Sequence, residues 1–110
     1  MAKNDYYVIA YRILVYLYEC LKCGEKVNTD IIDAESLNIV PSYWAYIFIH
    51  LYEDGHIEGV NIISALGGKS VRLMPELQIT PKGIEFLQEN SSMSKAKSFL
   101  KSLKETIPGL

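Results

Sequence analysis

Between Val27 and Gly68 the chain has no lysine and no arginine, the residues that supply most phosphate contacts in a nucleic-acid interface. The same stretch carries Asp30, Asp33, Glu35, Glu53, Asp54 and Glu58, so a helix-turn-helix placed there would bring acidity toward DNA. Cysteine is scarce: Cys20 and Cys23 are too few for the disulfide framework of a small secreted domain. No segment offers the ~20 predominantly apolar residues of a membrane span, since the richest, Tyr6 to Leu21, is interrupted by Arg12 and Glu19. No small-residue cleavage site follows that stretch, so it does not read as a secretory signal. A cytoplasmic protein without a membrane partner is expected.

Chemistry-bearing patterns are equally sparse. There are two histidines, no G-x-S-x-G elbow and no complete phosphate loop. Gly67-Gly68-Lys69-Ser70 lacks the earlier glycine and the strand-to-helix setting of such a loop, and reads as a turn. Cys20-x-x-Cys23 with His50 and His56 has the residue types of a zinc site, but zinc histidines usually stand three to five residues apart. No enzyme, cofactor, metal or small-molecule substrate is expected.

What is present is enough for one folded domain. The 110 residues are 49% hydrophobic and 22% charged with a net charge of −2, near the average for a globular chain. They are read as a single domain over 1–110, with its core over about 5–90 and a helical extension over about 91–107. A first helix runs from Asp5 to about Lys22, apolar on nearly every face, and is therefore either central to the core or shared with a partner. Asp33 can cap a short second helix, Asn38 can take the left-handed turn position, and Pro41 suits the first turn of a third helix ending at Gly55. Two strands, Ile57 to Ile63 and Val71 to Ile79, flank the Leu66-Gly67-Gly68-Lys69 turn, with distortion expected near Pro75. Thr80-Pro81 starts a fourth helix, with Ile79 and Ile84 at the positions of a hydrophobic staple. A last amphipathic helix, about Ser92 to Glu105, lines up Met93, Ala96, Leu100, Leu103 and Ile107 opposite Lys97, Lys101 and Lys104. This order predicts an α+β winged helix with a C-terminal amphipathic helix.

The segment Ile79-Thr80-Pro81-Lys82-Gly83-Ile84-Glu85-Phe86-Leu87-Gln88-Glu89-Asn90-Ser91, the lysine-rich helix after it and the ending Ile107-Pro108-Gly109-Leu110 resemble the YjcQ-like family of small bacterial and phage proteins. Asp54-Gly55-His56-Ile57-Glu58-Gly59-Val60 looks like that family's junction between third helix and wing. The resemblance implies a winged-helix fold and carries no catalytic residues.

Two surfaces remain as candidates. With Trp44, Ile47, Phe48 and Leu51 facing the core, helical spacing turns Tyr43, Tyr46, Ile49 and His50 toward solvent, at the positions of a recognition helix. Tyrosine and isoleucine suit a protein interface better than base readout, so a protein partner or a homodimer is expected before DNA. The alternative is a DNA-associated regulator using a basic footprint of Lys69, Arg72, Lys97, Lys101 and Lys104. A further alternative is a phage-type protein whose acidic stretch imitates nucleic acid toward a host protein.

Overall fold

The computed structural model describes residues 6–90, and the expected C-terminal helix, with Lys97, Lys101 and Lys104, lies outside them. Within them, helix α1 spans Tyr6–Cys23, α2 Ala34–Leu37, α3 Pro41–Glu53 and α4 Pro81–Glu89; strands β1 (Ile57–Ala65) and β2 (Gly68–Ile79) form one antiparallel sheet. A single 3-10 turn, Thr29–Ile31, precedes α2. The chain is thus mixed α+β, and the arrangement is compatible with a winged helix.

α1 is the axis of the core. Ile9, Ala10, Ile13, Leu14, Tyr16 and Leu17 are all buried, because the helix packs against α3, α4 and β2 together. An amphipathic stripe would suffice for one such neighbour; several neighbours require apolar residues around most of the helix. The Tyr16 hydroxyl is the polar group in this row, and it accepts a hydrogen bond from the Asn28 N–H at 2.7 Å.

Short-range chemistry sets the element ends. Asp33 Oδ1 accepts from the Ser36 N–H at 2.7 Å and caps α2. Asn38 then takes the left-handed conformation, φ 59°, which lets the chain turn sharply into α3. The Trp44 indole N–H donates to the Ile32 carbonyl at 2.7 Å, tying α3 to the segment before α2.

The hairpin is pinned at its base and free at its tip. Ile57 pairs with Ile79 and Glu58 with Gln78, and after an irregularity the ladder resumes from Val60 opposite Leu73 to Ala65 opposite Gly68. Between those pairs β1 holds only Gly59, whereas β2 holds Met74, Pro75, Glu76 and Leu77, so the expected distortion at Pro75 is a pronounced bulge. Gly59 makes it possible: at φ +85°, a Cβ there would lie 2.4 Å from the Leu77 backbone nitrogen. Ile57, Val60, Leu77 and Ile79 enter the core, while Ile63 and Leu66 at the far end stay exposed.

Candidate functional site: an aromatic groove

α4 is held against the junction of α3 and β1 by one threonine and one glycine. The Thr80 hydroxyl accepts from the Gly83 N–H at 3.2 Å and donates to the Gly55 carbonyl, and the Thr80 N–H donates to the His56 carbonyl at 3.0 Å. Gly83 packs so close to that carbonyl that a Cβ would approach its oxygen to 2.4 Å. One helical turn later, Phe86 lies edge-on to the His56 ring, with centroids 5.5 Å apart. The capped helix start therefore places an aromatic side chain on the α3–β1 junction.

From there rings continue around a hollow of about 350 Å³ between α1, α3 and α4. Tyr7 stands nearly parallel to Phe86 at 6.5 Å, Tyr6 meets Tyr7 edge-on at 5.1 Å, and Tyr46 meets Tyr6 edge-on at 6.2 Å. His50 lies tilted 4.3 Å from Tyr46. Tyr43, Ala10, Leu51 and Asp54 complete the lining. Large aromatic area remains open to solvent: Tyr7 is 62% exposed and Tyr46 53%.

The electrostatics differ between the two ends. Burial pushes the Tyr6 hydroxyl up to about 12, and the nearby Asp54 carboxylate adds to the rise. Burial also lowers the His56 pKa below its usual 6.5, against the pull of Asp54 and with help from Lys82. The His56 Nδ1 is buried and has no hydrogen-bond partner among the described residues.

The four α3 residues expected at the surface separate. Tyr43, Tyr46 and His50 come together on the groove, half-buried, exposed and half-buried respectively. Ile49 does not join them: it is only 8% exposed and is corrected from a surface contact to a buried residue. α3 packs against α1 and against both strands, and buries Ile47, Phe48 and Ile49 in succession, a wider apolar arc than a single core-facing stripe. Trp44 is half-buried and packs on the core beside Phe48, at 4.8 Å.

The basic pair on the hairpin also separates. Lys69 pairs with Ser64 and Arg72 with Asn61 in the regular part of the ladder, and alternation along a strand sends positions 69 and 72 to opposite faces. Both are exposed. Lys97, Lys101 and Lys104 lie outside the described residues.

Cys20 is buried and Cys23 exposed, and neither forms a disulfide. Among the described residues no three His, Cys, Asp or Glu side chains gather as a metal site. No helix there is long and apolar enough to cross a membrane.

Sequence reasoning missed Tyr6, Tyr7, Asp54, His56 and Phe86 as groove residues. The available signal was Thr80-x-x-Gly83: a glycine one turn inside a capped helix marks a close backbone approach, and Phe86 follows it on the same face.

These features define a small α+β chain with an open aromatic groove at the meeting of three helices. The chain belongs to the YjcQ protein family, whose model matches residues 11–106. Tyr43, Tyr46, His50, Asp54, His56 and Phe86 fall within the matched segment, whereas Tyr6 and Tyr7 precede it. No curated protein and no solved structure matches the chain.

Proposed function

We propose that this chain is a non-enzymatic winged-helix protein that works by docking on another protein, or on a second copy of itself, through the aromatic groove. The observation that carries this reading is the exposure of Tyr7 and Tyr46 on either side of Tyr6, in one continuous run of ring contacts. Buried interface centres favour aromatics and exclude charge, and tyrosine gives large contact area at low entropic cost. The surface assigned to α3 alone thus becomes a groove shared by α1, α3 and α4. Free thiols at Cys20 and Cys23 accord with a reducing, cytoplasmic setting.

A DNA-binding reading has less support. The K/R-free stretch covers α2, α3 and β1, and Lys69 and Arg72 occupy opposite faces of the hairpin.

The test is the double variant Tyr7→Ala with Tyr46→Ala, assayed for partner capture, for self-association by sedimentation, and for thermal stability. Association should be lost while the melting temperature changes little, because both side chains are largely solvent-facing. Undiminished association, or a large loss of stability, would show that this face is not a docking surface. Ile49→Ala does not belong in the test, since it would open a buried site.

A further inference from the structure

The groove is selective in charge. Among the described residues, Asp54 is the only charged one that lines it, and no lysine or arginine does. The ring faces around it carry partial negative charge through their quadrupoles. At Tyr6, burial and then the Asp54 carboxylate oppose ionisation of the phenol, which puts that carboxylate's negative charge close to the ring. Asp54 and, more weakly, Lys82 both act on His56, and the Lys82 side chain lies beside Gly55. A hollow of about 350 Å³ with π faces and one carboxylate is complementary to an organic cation. An acidic peptide would meet repulsion at the same place. The protein already shows such a contact elsewhere, where Lys22 Nζ lies 4.4 Å from the Tyr18 ring centroid.

We propose that the groove's occupant is an arginine side chain of the partner protein, its aliphatic stem passing Tyr46 and its guanidinium lying against the Tyr6 ring, its charge answered by Asp54. The assignment rests on the docking reading above and specifies its chemistry. Arginine fits better than lysine because its planar head stacks on aromatic faces and forks onto a carboxylate, whereas an ammonium is a compact, strongly hydrated point charge. Asp54 is well placed for this role. It is the exposed C-cap residue of α3, so its backbone is held by the helix end while its side chain stays open to solvent.

The experiment is a titration of the full-length protein, with isotope-labelled tyrosine rings followed by NMR, using N-acetyl-arginine amide and its uncharged isostere N-acetyl-citrulline amide. Arginine should produce saturable shifts at Tyr6 and Tyr46, citrulline should not, and Asp54→Asn should weaken arginine binding roughly two- to fivefold, as expected of a partly exposed charge contact. A parallel titration of Lys22→Gln, remote from the groove, should reproduce the wild-type curve. Equal shifts from both compounds, or none from either, would overturn the arginine assignment. In both of those cases the docking surface itself would stand or fall separately on the Tyr7 and Tyr46 variants.

Discussion

Replacing Gly83 by alanine should destabilise the protein, although the same change inside an ordinary helix gains about 0.5–1 kcal/mol. The new Cβ would lie 2.4 Å from the His56 carbonyl oxygen and 2.6 Å from Ile79 Cγ1, where ordinary contact begins at 3.4 Å. The Ile79 side chain can rotate, but the carbonyl cannot yield easily, because it also accepts the Thr80 N–H at 3.0 Å. α4 must withdraw by about an ångström, and overpacking of this kind costs about 1–3 kcal/mol. Because the blocking atom is backbone, the cost belongs in the upper part of that range, about 2–3 kcal/mol, and against a helix-propensity gain of about 1 kcal/mol a net loss of about 1–2 kcal/mol remains. At ~4–8 °C per kcal/mol for a domain of this scale, the melting temperature should fall by about 4–16 °C. Urea unfolding followed by circular dichroism would measure the loss. Gly67→Ala serves as the control, since nothing lies within 4 Å of a Cβ there, and it should change stability by no more than about 0.5 kcal/mol. A Gly83→Ala protein as stable as the parent would refute the close packing of α4 on the α3–β1 junction, and with it the placement of Phe86 on the groove.

Two further expectations concern protons. Burial holds the His56 pKa below 6.5 in the folded state, so on acidification the unfolded chain takes up its proton first; the stability linked to this group is full above pH 6.5 and declines as the pH falls toward the folded value. His56→Gln should flatten that decline between about pH 7.5 and 5.5, and an unchanged slope would contradict the burial of the ring. Tyr16 is displaced the other way, with burial pushing it up to about 12; its contribution is full below pH 10 and is lost as the pH rises toward 12. Tyr16→Phe should remove part of that alkaline decline and, by depriving the Asn28 N–H of its acceptor, cost about 0.5–1.5 kcal/mol at neutral pH. Loss of less than this would mean that water replaces the hydroxyl.

The features that were legible in the sequence are those written by local chemistry. Asp33 and Thr80 cap the helices they precede, Asn38 turns left-handed, and the hairpin closes at Leu66-Gly67. Each depends on a few neighbouring residues, so its signature is contained in them. The burial of Ile49 was not legible, because α3 is apolar on more than one side and only its tertiary neighbours decide which sides are covered. Tyr43, Tyr46 and His50 were found from helical spacing alone. Their companions Tyr6, Tyr7 and Phe86 come from helices distant in sequence, brought together by the contacts of α1 with α3 and α4. The hairpin bulge was foreshadowed by Pro75, but its length follows from the approach of Leu77 to Gly59, which no local pattern encodes.

The proposed docking role of the groove is tested most directly by placing the photo-cross-linker p-benzoylphenylalanine at position 46 or at position 52 and irradiating the native host cells. Tyr46 and Tyr52 are both exposed residues of α3, yet only Tyr46 lines the groove, so the pair holds helix and exposure constant while changing the surface. Discrete protein adducts, or a cross-linked dimer of the chain, should form from position 46 and not from position 52. Adducts of equal yield from both positions, or none from position 46, would contradict the account.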